Sequence, residues 1–420
     1  MTTGSRQLQA MIIALRTPDL SASSDELIDQ ISALETMRAV TAAAQAQLMV
    51  AFLDQELYAE SAGDGLAHSL PARRRSAIAQ IALARRISPQ QQSNEMAFAS
   101  LLCTDLAITL SALQRGAITE YAAKKVASEL VVLDVHDRRA VDRDLAALLD
   151  GMSAKQAASA AHHRVAAIDA RAIITRMERA AASRRVSVRP APDGMAYFTI
   201  LTDLSSAVSM YAALHKAAGS PSTDPGPRSH GAIMADTAFQ RVTGYKSSAH
   251  VPLEIGLVIT DQTLLADGRA AGRIGQHVVP AEIARHLITR GAASKTKQLV
   301  RRLYADPATG TLTRIDGRAR TFNGKLRRFI TARDQICRTP YCEAPIRDID
   351  HANPWAHDGP TNPTNGNGRC QRCNLTKESP GWKSTSISAT PGKAHRIVIT
   401  TPTGHEYISN APPLLEYSRS

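Results

Sequence analysis

The sequence predicts a mainly helical N-terminal region, a small α/β portion after it, and a compact cysteine-rich module near the C-terminus. Residues 1–183 are rich in Ala and Leu and almost free of strand patterns, alternation of period two begins at Val186, and four of the five cysteines lie in residues 337–373. The 420 residues also exceed the roughly 250–300 at which one hydrophobic core stops growing. We therefore expect domains at 1–183, 184–320 and 321–385, followed by a partly ordered tail at 386–420.

The N-terminal region contains repeated signals for the start and end of helices. Ser23 and Glu26 form a capping-box pattern before a long amphipathic run to Tyr58, and Pro89 fits the first turn of another helix. Further helices are expected at 119–130, at 137–149 and from Ser153 to about 184. Helices that repeat without intervening strands favour a bundle with an Ala/Leu interior.

The α/β portion is predicted from short alternating segments separated by turn residues. Strands are expected at 186–189 and 195–202, around the turn Pro192-Asp-Gly, and a helix at 204–218. After a Pro-rich loop at 219–231, the pattern predicts a strand at 255–260, a helix at 280–290 and a hairpin at 299–315. The tail contains one apolar strand, at 397–401.

Composition and charge restrict the class of function. With 44% hydrophobic and 21% charged residues the chain is not a disordered one, and no apolar run approaches the roughly 18 residues of a membrane helix. We expect a cytoplasmic protein without a membrane partner and, because no Gly-x4-Gly-Lys-Ser/Thr loop occurs, without a nucleotide cofactor. The net charge is +12, and residues 281–330 contain 12 basic and 3 acidic side chains. This concentration favours a polyanionic partner that binds next to the cysteine-rich module.

The clustered cysteines form two closely spaced pairs, Cys337-x4-Cys342 and Cys370-x2-Cys373, with 27 residues between them. Each short spacing lets one turn direct two thiolates at a shared ion, and two such turns complete a tetrahedral zinc site. A closed shell of four thiolates leaves no open ligand position. The zinc is therefore expected to be structural and not catalytic.

Polar residues that suit catalysis lie between and just after the cysteine pairs. Asp350 and His351 end a strand-like alternation, Asn365 lies in a Gly-rich tract, and Asn374 directly follows the second pair. These residues resemble the HNH (ββα-metal) endonucleases, in which Asp-His ends the first strand, an Asn follows, and a His or Asn comes after a cysteine pair. The layout, with the tract 365–382, is also similar to actinobacterial 13E12 repeat family proteins, which join a helical domain of unknown function to a C-terminal HNH module.

The resemblance implies a metal-dependent DNA endonuclease with a zinc-stabilised ββα-metal fold at its C-terminus. His351 would act as the general base, Asp350 and Asn374 would hold catalytic Mg²⁺ or Mn²⁺, and Asn365 would hold the loop of the base in place. Asn374 stands where the commonest family form has His. Its amide oxygen still provides a ligand for a hard cation. Residues expected to contact phosphates without reading sequence are Arg314, Arg318, Arg320, Lys325, Arg327 and Arg328.

Several alternatives remain open at this level. Because of Asn374, the chain fits a zinc-stabilised DNA-binding protein whose nuclease centre has decayed, such as the remnant of a mobile element. The helical region also fits a protein-interaction platform that carries the nuclease as a passenger. Within the module, Asp348 lies on the same strand face as Asp350 and is a possible second acidic ligand, and His357 is a possible phosphate contact.

Overall fold

The computed structural model describes residues 3–58, 69–168, 174, 177–178, 180–192, 195–219, 228–245, 257–258, 268–269, 271–274, 277–293, 322, 324–387 and 394–413. This part of the chain is mostly helical with small sheets, which confirms the prediction of a mainly α protein with a small α/β portion. The predicted hairpin at 299–315 and the basic residues Arg301, Arg302, Arg314, Arg318 and Arg320 lie outside the described residues.

The chain divides into two compact units. One consists of Met1–Gln55 and Ser93–Arg176, and the other of Glu56–Gln92 and Met177–Ser420. The helices of the first half are α1 (Thr3–Ala14), α2 (Ser24–Tyr58), α3 (Leu70–Arg85), α4 (Pro89–Asp105), α5 (Ala107–Gln114), α6 (Glu120–Leu130), α7 (Val135–Asp144) and α8 (Ala154–Ile168). No single helix among the described residues is long and apolar enough to cross a membrane, although α4 and α5 pass that test together across a 105° bend.

The first unit has a core of small side chains. Helix α2 buries Ala39, Ala43 and Ala46, and α8 buries Ala157 and Ala161, at the spacing of three or four residues that places them on one helix face. Helix α6 packs against α8. Because these side chains are short, the helix backbones approach closely, as the Ala-rich sequence predicts for a bundle.

The second unit contains the remaining elements. They are β1 (Arg185–Pro190), β2 (Ala196–Leu201), α9 (Leu204–Ala218), α10 (His230–Thr243), β3 (Leu257–Val258), β4 (Gly272–Ile274), β5 (His277–Val279), α11 (Ala281–Ala293), α12 (Gly324–Asp334), β6 (Asp348–His351), β7 (Gly366–Arg369), α13 (Gln371–Lys377), β8 (Lys383–Ile387), β9 (Arg396–Thr400) and β10 (Glu406–Asn410). A single 3-10 turn at Trp355–His357 precedes β7. The strands form two-stranded sheets β1-β2 and β6-β7 and three-stranded sheets β3-β4-β5 and β8-β9-β10, all antiparallel.

The tail has more regular structure than the sequence predicted. Where one strand was expected, β9 lies between β8 and β10 in a sheet, and its Ile397 and Ile399 are buried. Strands β8 and β10 are short and carry mostly polar, partly exposed side chains, so their hydrophobic alternation is weak. They are held by backbone pairing with β9, which the pattern of either segment alone does not indicate.

Helix α3 lies in the same unit as the cysteine-rich module, although the sequence places it in the helical region. The indole Nε1 of Trp382 donates a hydrogen bond to Ser76 Oγ at 2.7 Å. The backbone N and the Oγ1 of Thr403 donate to Gln80 Oε1 at 3.3 and 2.9 Å. Ser76 and Gln80 are both buried and four residues apart, so they lie on one face of α3. The module is therefore completed by a segment about 300 residues earlier in the chain.

Candidate functional site

The four clustered cysteines meet in the structure. Their sulfur atoms all lie within 4.8 Å of one another, with Cys342 Sγ at 3.8 Å from Cys370 Sγ and at 3.6 Å from Cys373 Sγ. A turn closed by the bond from Cys342 N to Thr339 O, at 3.0 Å, presents the first pair. The second pair comes from the start of α13, where the Cys370 side chain accepts from Cys373 N.

This donor set fits zinc. Tetrahedral Zn–S bonds of about 2.3 Å place the sulfurs about 3.8 Å apart, which agrees with the two spacings of 3.6 and 3.8 Å. The prediction that these cysteines form one four-ligand group is confirmed, and the group could hold zinc.

Strands β6 and β7 and helix α13 form a ββα unit beside the cysteines. Asp350 pairs with Asn367 and His351 with Gly366 across the two strands. A Cβ atom on Gly366 would come within 2.4 Å of Ile330 Cδ1, and one on Gly368 within 2.4 Å of Ile346 Cδ1. The Gly-rich tract is therefore needed for the close approach of α12 and of the chain before β6 to this hairpin.

Helix α12 covers the hairpin with one face and exposes basic residues on the other. Leu326, Phe329 and Ile330 are buried in a small core with Phe322. Among the basic residues expected to contact phosphates, Lys325, Arg327 and Arg328 are exposed on the outer face of α12. Arg314, Arg318 and Arg320 lie outside the described residues.

His351 lies at the end of β6 in a largely apolar setting. Its side chain ring is 4.5 Å from the ring of Phe322 and 5.9 Å from that of Trp355, measured between centroids. Burial lowers the pKa of His351, with nearby Asp350 opposing and Lys377 adding to the shift, so the imidazole is neutral at pH 7. The Nε2 atom is 2.8 Å from Thr361 Oγ1. When Nε2–H donates to this hydroxyl, Nδ1 keeps the lone pair that can accept a proton.

Asn365 is buried and connects the chain on both sides of the 3-10 turn. Its Oδ1 accepts from Asn353 N at 2.7 Å, and its Nδ2 donates to Asn353 O at 3.0 Å and Pro360 O at 2.9 Å. The backbone O of Asn365 also accepts from Ala352 N, the residue after His351. Gly359 allows this arrangement, because a Cβ there would come within 1.9 Å of Asn353 O. The amide thus fixes the loop that follows His351.

Two buried side-chain oxygens of the ββα unit have no hydrogen-bond partner: Asp350 Oδ2 and Asn374 Oδ1. The Nζ of Lys377 forms an ion pair with Asp350 Oδ2 at 2.6 Å, but the angles of this contact do not meet those of a hydrogen bond. Asn374 and Lys377 are three residues apart on α13 and share a helix face. A buried oxygen without a partner, such as Asn374 Oδ1, is costly, and carboxylate and amide oxygens are ligands that Mg²⁺ and Mn²⁺ accept.

A buried ion network supports the hairpin from behind. Asp334 is fully buried and accepts from Arg333 Nε at 2.7 Å, from Arg338 Nη1 at 2.8 Å and from Gly368 N at 2.7 Å. Arg338 also donates to the backbone oxygens of Ser409 and His395. The network joins α12, β7 and the tail sheet, so it fixes the strand that pairs with Asp350 and His351.

The structure brings Asp350, His351, Asn365 and Asn374 to one ββα unit. It adds Thr361 and Lys377, which sequence reasoning missed. A signal existed for Lys377, since it follows Asn374 by three residues in a helical segment. Thr361 had no such signal, because it lies ten residues from His351 in an irregular loop. His357 is exposed and Asp348 is partly buried.

No family model matches the chain, and no solved structure matches it. Proteins from Mycobacterium tuberculosis resemble part of it. The "Uncharacterized protein MT2160" of strain CDC 1551 / Oshkosh and the "Uncharacterized protein Rv2100" of strain ATCC 25618 / H37Rv are each 31% identical over 139 residues, which is 32% of this chain and 22% of each relative. The "Uncharacterized protein Rv3776" of the latter strain is 31% identical over 139 residues, 24% of its length. The chain thus matches less than a quarter of the length of these relatives, and their names give no activity.

Proposed function

We propose that the protein is a metal-dependent endonuclease of HNH type, similar in layout to the 13E12 repeat family, that hydrolyses phosphodiester bonds of DNA. One observation carries the proposal most directly. Buried Asn374 Oδ1 has no hydrogen-bond partner, buried Asp350 Oδ2 has only its ion pair with Lys377, and both belong to the ββα unit that carries the imidazole of His351. Oxygen ligands beside a candidate general base are the groups that metal-assisted hydrolysis of a phosphodiester needs.

Asp350 and Asn374 are the residues that would hold Mg²⁺ or Mn²⁺. When bound there, the cation supplies positive charge for the scissile phosphate and for the leaving 3′ oxygen. Two protein oxygens are sufficient for such an ion, because Mg²⁺ keeps several waters and completes its shell with substrate phosphates.

His351 acts as the general base in this proposal. Its lowered pKa keeps the imidazole unprotonated at pH 7, ready to accept a proton from the attacking water. Thr361 orients the ring through Nε2, and the rings of Phe322 and Trp355 restrict its rotation. Asn365 acts as a positioning residue, since its three side-chain bonds hold the loop after His351.

DNA binding would come from positive charge around the ββα unit. Lys325, Arg327 and Arg328 are exposed on the outer face of α12, whose inner face packs against the hairpin. Such side chains can neutralise phosphates without reading bases, so this contribution to binding weakens with added salt.

Structural zinc at the four cysteines would orient the metal-binding helix. The same short helix, α13, contributes Cys370 and Cys373 to the sulfur group and Asn374 and Lys377 to the face near Asp350. A helix of seven residues is too short to be stable by itself. Cross-linking its first turn to the loop of Cys337 and Cys342 would fix its rotation and thereby direct Asn374.

A zinc-stabilised DNA-binding protein with a decayed nuclease centre is the second candidate. It is favoured by one specific contact, the ion pair at 2.6 Å between Lys377 Nζ and Asp350 Oδ2. In a protein that no longer uses a divalent cation, an ammonium group could neutralise this carboxylate permanently.

A plasmid cleavage assay separates the two. Supercoiled plasmid is incubated with the zinc-loaded full chain and Mg²⁺, Mn²⁺ or EDTA. We expect cleavage only with a divalent cation, and a rate lower by about 10²-fold or more in His351→Ala, the usual contribution of a general base. His136→Ala, at an exposed position outside this unit, serves as the matched control.

Two results would decide against the endonuclease. If the wild-type protein cuts no faster than His351→Ala under every metal, the catalytic role is wrong. If that inactive protein still binds DNA in a salt-dependent manner with zinc bound, the second candidate is selected.

A further inference from the structure

Lys377 has contacts that the proposed nuclease does not explain. Its side chain is only 7% exposed, and that of Asp350 is 21% exposed. The Nζ atom of Lys377 lies 2.6 Å from Asp350 Oδ2. The same Nζ donates to His351 O at 2.9 Å and lies 3.1 Å from Glu378 Oε1. A lysine is rarely this buried unless its charge is paired. The ammonium group is therefore held against a residue that we propose as a cation ligand.

We propose that Lys377 is a positioning residue that competes with the divalent cation for Asp350 and so sets the affinity of the site. This inference rests on the proposed function, because it concerns the same carboxylate. A cation bound to Asp350 would stand close to the ammonium group, and two like charges in a partly buried site repel each other strongly. Cation binding at Oδ2 therefore requires Lys377 to withdraw from that oxygen.

The other contacts of Lys377 make such a withdrawal possible. His351 O and Glu378 Oε1 can each keep the ammonium group partnered after it leaves Asp350. Glu378 is 64% exposed as a side chain, so it can follow the lysine without disturbing the core. Displacement then leaves no unpaired buried charge, which would otherwise make it prohibitively costly. The consequence is weakened cation binding rather than a blocked site.

This arrangement predicts a nuclease that depends on cation concentration. While the ammonium group holds Asp350, the carboxylate stays oriented and neutralised. At a high concentration of the cation, Lys377 would leave Asp350 Oδ2 free to serve as its ligand. The retained contact with the backbone of His351 keeps Lys377 near the site, so the exchange requires only a small movement of one flexible side chain.

Mn²⁺ binding to the zinc-loaded full chain tests this directly, with free Mn²⁺ measured by electron paramagnetic resonance. Lys377→Gln and Lys377→Met are expected to bind Mn²⁺ about tenfold more tightly than wild type, and Lys377→Arg to stay near wild type. Lys383→Gln removes the same charge from an exposed position and is the matched control. Asp350→Asn, which removes the ligand, shows whether the measured binding occurs at this site.

Thermal unfolding with and without Mn²⁺ gives a second readout. Because a ligand stabilises only the folded state that binds it, Mn²⁺ should raise the Tm of Lys377→Gln more than that of wild type. Zinc content and circular dichroism report whether each variant is folded. If Lys377→Gln does not fold, Lys377→Met, which keeps the aliphatic stem, takes its place in the measurement.

Unchanged or weaker Mn²⁺ binding in a folded Lys377 variant would overturn the competition. The competition would also be overturned if wild type and Lys377→Gln bound Mn²⁺ no more tightly than Asp350→Asn, because the measured ion would then not bind at Asp350. Failure of the proposed function is a different result, since the plasmid assay could show no cleavage while the affinity difference at Asp350 remains.

Discussion

Replacement of Asp334 by Asn tests whether the buried ion network holds the candidate site together. Asp334 is fully buried and faces the guanidinium groups of Arg333 and Arg338, both of which are also buried. Burial alone would raise the pKa of Asp334, but the charges and hydrogen bonds of the two arginines, with a bond from Gly368 N, lower it overall. The carboxylate is therefore ionised, and its charge balances two buried cations.

The expected loss of stability follows from these contacts. An Asn side chain is neutral, and its NH₂ group would meet donors in place of one acceptor oxygen. Removing one partner of a buried ion pair costs about 3–5 kcal/mol, and here both Arg333 and Arg338 would lose their counter-charge. We expect Asp334→Asn to lower the free energy of unfolding of this unit by about that amount.

Urea unfolding followed by tryptophan fluorescence measures this unit selectively, because the chain has only two tryptophans, Trp355 and Trp382, and both belong to it. Glu343→Gln removes an exposed carboxylate from the same module and should change stability by less than about 0.5 kcal/mol. A loss below about 1 kcal/mol in Asp334→Asn would refute the reasoning, since it would mean that the two guanidinium groups find water or other partners at little cost.

Two further predictions concern the same unit. Burial lowers the pKa of His395 to about 4, below its unfolded value of 6.5, so its contribution to stability is present above pH 6.5 and is lost as the pH falls toward 4. Between pH 7 and pH 5 the free energy of unfolding, measured in urea, should therefore fall by about 2 kcal/mol more in wild type than in His395→Gln. Equal falls in the two proteins would contradict this prediction. Ser76→Ala leaves the partly buried indole N–H of Trp382 without its acceptor and should cost about 1–3 kcal/mol by the same fluorescence assay, whereas Ser187→Ala, at an exposed position of β1 in the same unit, should cost little. An unchanged midpoint in Ser76→Ala would show that α3 does not stabilise the module.

The features that the sequence determined by itself are local. Helix α9 was predicted at 204–218 and spans Leu204–Ala218, and β1 and β2 lie within one residue of their predicted bounds. Caps, turn residues and hydrophobic period act over a few positions, so they are readable from the chain. The cysteine group was predictable for a related reason, because the spacing within each pair fits one turn and thiolates have few other uses in such a pattern.

Only the tertiary structure decided which distant groups meet. The contacts of Trp382 with Ser76, of Arg338 with Ser409 and of His351 with Thr361 join segments that are 306, 71 and 10 residues apart. A buried donor or acceptor must be satisfied, but its own sequence neighbourhood does not state which residue will satisfy it. The unpartnered Oδ1 of Asn374 and the ion pair between Asp350 Oδ2 and Lys377 Nζ likewise result from how α13 packs against β6. Composition and spacing identified the chemically active residue types, and packing determined their electrostatic environment.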